Sequence, residues 1–477
     1  MITFLVCLGL LIVGYFTYGK IVNKIIGPDD SRPTPAIRMA DGVDYVVLPT
    51  WKILLTQFLN IAGVGPIFGA IMGAMFGPIA FIWITFGCLL VGGVHDILSG
   101  YVSLRHDGKS ISEIIGIYLG NHARLLMRVF SFILLMLVGV VFTQAPANWL
   151  AGLGGFTESW TAHTWIFIII GYYIFATIVP VNLLMAKLFP AFSIMLLIMC
   201  VMLFIGMVVG QINGSLTMQE FTLDWVHPQN LSVMPFIFVT IACGAVSGFH
   251  STKAPMMARC MSKESDSQKV FYGAMVLEGI VALIWAAVTM AVVGDRFRAG
   301  ETVGSAFGGQ GGVVDYASSF LLGPVGIFVV IIAILIFPIT SGDTTFRSIR
   351  LMIADIFKLD QSSVKIRLLM CVPVFAVAIA LTYIDFNIIW RYFAWSNLTL
   401  AALALWTGAA FLLVNKKLHW IATLPALLLT YISISYIVQA PEGLTLSPVI
   451  ANISATVVMI LAFVFFMFKA GKISKEG

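Results

Sequence analysis

Apolar runs of about 20 residues, the length a helix needs to cross the hydrocarbon of a bilayer, recur from one end of this chain to the other. Few folds accommodate that pattern. Lipid offers no hydrogen bonds, so each run must satisfy its own backbone, as a helix does. Thirteen spans are predicted, at 2–22, 53–73, 78–101, 125–145, 164–180, 187–210, 234–251, 270–294, 324–345, 366–384, 387–414, 418–438 and 447–468. With 60% hydrophobic and 10% charged residues and a mean hydropathy of +1.00, the chain lies far from the roughly 25% charged soluble average. The expected class is an all-α integral membrane protein whose first partner is the lipid bilayer. The run 2–22 is followed by Asn23, Lys24 and Gly27 rather than a small-residue cleavage site, so it is expected to be retained and not to be a signal peptide.

Of the 27 Lys and Arg residues, 24 fall in odd-numbered loops and the tail, leaving Arg296, Arg298 and Arg391 on the other side. The excess of positive charge in short loops sets orientation, so the odd loops and the C-terminus are expected in the cytoplasm and the N-terminus outside, in a cell inner or plasma membrane. The net charge of +5 then reflects topology, and no nucleic-acid partner is expected. The long even loops, 145–163, 211–233 and 295–323, read as external connectors. Cys7, Cys88, Cys200, Cys243, Cys260 and Cys371 show no paired spacing in an outer loop and are expected to be reduced and structural.

Two spans are interrupted. Residues 58–73, FLNIAGVGPIFGAIMG, break an apolar run with Gly63-X-Gly65-Pro66, and residues 241–251, IACGAVSGFHS, break another. Irregular backbone at membrane depth persists only where protein or a water-filled cavity takes up the freed groups. The breaks fall in the second and seventh spans, which run in opposite directions. A period of five with inversion predicts a 5+5 inverted-repeat transporter core with substrate between the broken helices. The expected organisation is an N-terminal helix and cytoplasmic loop over 1–52, a first repeat over 53–210, a second over 211–414, and two accessory helices with a tail over 415–477.

Ionisable groups inside spans are costly and mark function by default. Glu278 lies in the eighth span among apolar neighbours. His95 and Asp96 end the third, His250 ends the seventh with Lys253 just beyond, and Asp343 ends the ninth beside Thr340, Ser341, Thr344 and Thr345. Proton coupling through Glu278 competes with a neutral glutamic acid serving as interhelical glue. The Asp343 group suits Na⁺ or a proton, or an i,i+4 pair with Arg347. Lys253 suits an inner gate paired with Asp96 or Asp343, or a side chain snorkelling to the interface. His95, Asp96 and His250 are metal-ligand types without paired spacing, and no metal is expected. Arg391, with Trp390, Tyr392, Trp395 and Asn397, offers either a carboxylate receptor or an aromatic belt at the interface. Thr143, Gln144, Pro146, Asn148 and Trp149 read as an outer vestibule or a turn. No GxxxxGK[ST] loop occurs, and no cofactor is expected.

Together FLNIAGVGPIFGAIMG, GGVHDILSG, GAVSGFHSTKAPMMARC, LEGIVALIW, SGDTTFRSIR and WRYFAWSNLTLAALALW resemble the carbon starvation protein A family over most of the ten-helix core. The resemblance implies a fold similar to the amino acid, polyamine and organocation transporters, and import of peptides or of pyruvate with protons. Lys253 stands where the family often has Gln, and many members are longer. The expected function is a secondary active importer of short peptides or pyruvate, coupled to protons or Na⁺, with a passive channel as the alternative and an intramembrane enzyme set aside. Asn60, Gly63, Gly65, Pro66, Ser247, Gly248, Arg391 and Trp395 are the expected substrate residues. Glu278, Asp343, Thr340, Ser341, Thr344, Asp96, His95, His250 and Lys253 are the expected coupling or gate residues.

Overall fold

Helix forms in every predicted span of the computed structural model, which describes the chain except residues 43, 153–159, 179–180, 223, 360–363 and 477, together with the side chains of 177–188, 355 and 474–476. The first half comprises α1 (Ile2–Ile26), α2 (Thr50–Ile61), α3 (Val64–Gly73), α4 (Ile79–Arg105), α5 (Ile111–Leu119), α6 (Asn121–Gly152), α7 (Ala162–Ile178) and α8 (Val181–Ile212). Then follow α9 (Val233–Thr240), α10 (Gly248–Ala258), α11 (Glu264–Arg298), α12 (Gln310–Leu322), α13 (326–357), α14 (Val364–Leu381), α15 (Phe386–Val414), α16 (Trp420–Gln439) and α17 (Pro448–Glu476). Ten helices among the described residues are long and apolar enough to cross a membrane, or eleven with the bent pair α2–α3. The two remaining predicted spans are the shorter apolar helix α7 and the split pair α9–α10.

The first break sits at Ala62–Gly63, where the chain bends by 50°. Gly65 and Pro66 lie inside the first turn of α3 rather than in the break. A proline is tolerated there because the first four N–H groups of a helix have no intrahelical acceptor. The second break is the non-helical stretch 241–247, in which Gly244 takes a φ of +93° that side chains disfavour.

Glycine lets the two broken spans touch. A methyl at Gly65 would stand 2.7 Å from Cβ and Sγ of Cys243, and one at Gly69 only 3.1 Å from the Thr240 carbonyl oxygen. A methyl at Gly248 would meet the Asn397 carbonyl oxygen at 2.4 Å, which seats α10 directly on α15. α3 packs along α11 while α10 packs along α4, so each broken span leans on the helix that follows the other. The packing of the two broken spans is thus reciprocal.

Two short helices escape the 20-residue criterion. α5 starts on Ser110, whose hydroxyl accepts from the Glu113 N–H, and buries Ile111, Ile114, Ile115 and Tyr118. α12, inside the 295–323 connector, buries Val313, Val314 and Ala317 against the bundle. That loop is therefore a packed part of the fold and not a plain connector.

The segment 27–49 on the basic side is a strap. Leu48 N–H donates to the Cys260 carbonyl at 3.1 Å, the Thr34 hydroxyl to Met261 O at 2.6 Å, and Asp29 N–H to Glu264 Oε2 at 2.8 Å. The Tyr45 hydroxyl reaches Asp107 O at 2.9 Å. The strap thus binds the turn after α10 to the end of α4.

If the glycine contact sets how closely the broken spans approach, Gly65→Ala should lower stability by about 1–3 kcal/mol, the usual cost of overpacking. Adding Cys243→Gly should recover part of the loss. Thermal unfolding in detergent for both variants checks this, and equal loss in single and double variants would refute it.

Candidate functional site

Close packing of small residues brings the buried ionisable groups together. In α4 the segment Gly87–Gly92 forms a π-turn immediately before His95 and Asp96. The Tyr272 hydroxyl of α11 donates to Leu89 O at 2.9 Å, and the Cys88 thiol donates to Met275 O at 3.3 Å. A methyl at Gly92 would stand 2.3 Å from Ala245 O, and one at Gly93 would stand 2.5 Å from the Tyr272 ring. The GGVHD sequence therefore holds α4 hard against both α11 and the second break. π-turns carry an extra residue, re-aim the side chains beyond them, and are frequent at functional sites.

Four ionisable side chains from three helices meet at this point. Asp96 accepts from both histidines: His95 Nδ1 stands 2.7 Å from its Oδ1 and His250 Nδ1 stands 2.8 Å from its Oδ2. The other nitrogen of His250, Nε2, lies 3.1 Å from Glu278 Oε2, an ion-pair separation without hydrogen-bond alignment. None of the four is more than 1% exposed. His250 bridges two carboxylates across the crossing of the broken spans. Two acids and two imidazoles buried together form a set whose net charge changes with each proton gained or lost. An unbalanced charge there costs several kcal/mol.

Around the breaks, polar groups divide into satisfied and orphaned. Asn397 of α15 takes up the second break: its Oδ1 accepts from Ser247 Oγ at 3.0 Å and Phe249 N–H at 2.9 Å, while its Nδ2 points to Cys243 Sγ at 3.2 Å. Ser247 is thereby engaged within the protein, and Gly248 is a packing contact. Beside the first break the amide atoms of Asn60, both amide atoms of Gln57 one turn earlier, and Ser341 Oγ of α13 are buried without a hydrogen-bond partner. A methyl at Gly63 would lie 3.3 Å from that Ser341 oxygen, so α13 faces the break. Buried polar groups without partners cost about 1–3 kcal/mol each, which is why such groups mark where a polar ligand completes a site. Gln57 was not among the expected residues. Its spacing of three from Asn60 within an apolar span is the signal for it.

The Asp343 group is mostly internally paired. Arg347 Nη2 stands 3.4 Å from Asp343 Oδ1 and donates to Ala176 O at 2.8 Å, giving the i,i+4 pair. The Thr340 hydroxyl bonds Ile336 O and Phe337 O, and those of Thr344 and Thr345 bond Ser341 O. Lys253 is fully buried, yet it pairs with neither Asp96 nor Asp343. Its ammonium donates to Thr344 O and Ser348 Oγ, both at 3.0 Å, and lies 4.8 Å over the Phe249 ring. Asp96 is already held by two histidines, and Asp343 by its arginine.

Arg391 lines a cavity of about 240 Å³ with Met72, Val239, Thr240 and Glu442, beside the start of the second break. Arg391 Nε pairs with Glu442 Oε2 at 3.2 Å, and Trp395 Nε1 donates to Ser433 O of α16 at 3.0 Å. Helical neighbours point about 100° apart, and it is Trp390 that packs on α3, 5.8 Å from the Phe68 ring. The Gln144 Nε2 donates to Thr382 O and Ile384 O while its Oε1 is buried without a partner, and Asn148 and Trp149 line an outer cavity of about 490 Å³ with Phe68, Gln310, Asp385 and Phe386. A cavity of about 310 Å³ lies on the basic side, lined by Ser251, Thr252, Arg128 and Ser348 among others. The four-residue cluster lines neither.

Paired broken spans, crossing at the centre of a helical bundle with cavities towards both faces, define the fold of a helical membrane transporter. A solved manganese transporter from Eremococcus coleocola has the same fold, with a TM-score of 0.56 over 91% of this chain and 99% of that one at 11% identity. The chain belongs to the carbon starvation protein CstA family, whose model matches residues 1–157 and 148–310. An uncharacterised membrane protein of Haemophilus influenzae is 37% identical over 337 residues, 61% of this chain and 91% of that protein. Proteins named peptide transporter CstA from Escherichia coli and Bacillus subtilis are 28% and 30% identical over 57% and 58% of this chain. The chain matches about half of their length, 47% and 56%.

Replacing Asn397 with leucine leaves the Ser247 hydroxyl and the Phe249 N–H without an acceptor. Asn397→Leu should therefore destabilise the protein by about 2 kcal/mol or more, read as a lower unfolding temperature in detergent. An unchanged midpoint would show that the second break is held by other means.

Proposed function

We propose that this protein is a secondary active importer of a small organic nutrient, a short peptide or pyruvate, and that protons drive it. The observation that carries the reading is His250 held between Asp96 and Glu278 on the inner half of a broken span. A substrate-dependent movement of α10 would alter the contacts of His250 with Asp96 and Glu278, and the cluster would exchange a proton as its electrostatic balance changed. Asn60, Gln57 and Ser341 are the polar groups available to a substrate beside the first break, where the N-terminal end of α3 adds a positive dipole suited to a carboxylate.

Protons are favoured over Na⁺ because Asp96, His250 and Glu278 are groups that exchange protons, whereas Asp343, the one acid of the hydroxyl-rich set, is paired with Arg347. A hard cation would need several oxygen ligands. The peptide-transporter names of the Escherichia coli and Bacillus subtilis relatives support the substrate class. The basic-rich loops support a cell-membrane orientation with the C-terminus in the cytoplasm. The reading is of transport without catalysis.

Proteoliposomes given labelled dipeptide or labelled pyruvate, with an inward proton gradient, an inward Na⁺ gradient or neither, provide the test. Accumulation of one compound under the proton gradient is expected, whereas equilibration without accumulation would identify a passive channel. Glu278→Gln should abolish uphill uptake while sparing counterflow exchange. Normal accumulation by that variant would remove Glu278 from the coupling scheme.

A further inference from the structure

A second polar enclosure lies on the basic side, remote from the broken spans. It is a cavity of about 460 Å³ between the strap and the inner end of α4. Arg32 and Arg38 enter it from the strap and Arg105 from the last turn of α4, while Glu264 is the one acid in its lining among the described residues. Glu264 is already occupied, accepting from Asp29 N–H, from the Tyr101 hydroxyl at 3.2 Å and from Arg105 Nη1 at 3.3 Å. Lys417 adds a fourth cation close by, its ammonium donating to Ile26 O.

The guanidinium groups retain donors to spare. Arg32 engages Asp29 through Nε at 3.2 Å, Arg38 engages Asp107 through one terminal nitrogen, and Arg105 engages Glu264 through another. Each guanidinium carries five N–H donors in a planar fork that matches phosphate oxygens. The side chains of Arg32 and Arg38 are 61% and 53% exposed, so their remaining donors are open to an incoming anion. A positive cavity with forked donors on opposite walls is a receptor for a polyvalent oxyanion.

We propose that this cavity binds a phosphate-bearing anion and that its occupancy fixes the strap to the end of α4. The strap also holds the turn after α10 through Leu48 and Thr34, so the bound anion would restrain the inner end of the second broken span. The shared chemistry admits two sources, a soluble phosphorylated compound or the headgroup of an anionic lipid at the interface. The binding reading stands whether or not the protein is a proton-coupled importer.

The test uses the full-length protein in nanodiscs of phosphatidylcholine, at constant ionic strength because exposed charges are screened by salt. Pyrophosphate is titrated while the unfolding temperature is followed, since a ligand of the folded state raises it saturably. Arg32→Gln with Arg38→Gln should weaken that binding by roughly tenfold or more, the scale of a lost charge-assisted hydrogen bond, with the unliganded midpoint unchanged. If pyrophosphate has no effect but added phosphatidylglycerol stabilises the native protein and not the double variant, the headgroup is the ligand and the site stands. Stabilisation by neither compound, or equal stabilisation of native protein and double variant, overturns the proposal.

Discussion

The contact between α3 and the 241–247 stretch is the constraint from which the rest of the core follows. Two backbones can approach this closely only where no Cβ intervenes, and Gly65 and Gly69 supply that room. Once they cross, the freed groups of the second break must find a partner inside the protein, because the bilayer supplies none. Asn397 provides it, which in turn draws α15 against α10. Gly92 does the same for α4, and the result is that Asp96, His250 and Glu278 converge without any one helix carrying more than its share of charge.

Much of this was legible in the sequence. Glycine and proline within long apolar runs mark both broken spans, and the cost of an ionisable residue in such a run singles out Glu278, Asp96 and His250. What could not be read was direction. Glu278 has no basic residue within a turn along its own helix, and its partner arrives from another span 28 residues earlier in the chain. The same limit applies to Arg391 and Trp395, whose partners Glu442 and Ser433 belong to α16 and the loop after it and have no trace along their own helix. α5 and α12 were missed because short helices have no length signature. Their burial depends on neighbours that a linear pattern does not contain.

The sequence also left open which hydroxyls and amides were spent. Thr340, Thr344 and Thr345 bond backward to their own helix, as mid-helix threonines often do, whereas Gln57 and Asn60 do not. A residue type states what hydrogen bonds are available, and only packing decides which are used. The family match and the shared fold place the architecture, and the distribution of satisfied and orphaned groups shows which side chains that architecture leaves unused.

α10 is eleven residues long and carries His250 and Lys253 three positions apart, which sets them about 60° apart around its axis. One faces Asp96 and Glu278, and the other rests on the backbone of α13 at Thr344. A short rod that carries two buried ionisable side chains within one turn offers them to different neighbours from a single face. Their separation is fixed by three residues of one helix, so a rigid displacement of α10 would carry the histidine and the lysine together.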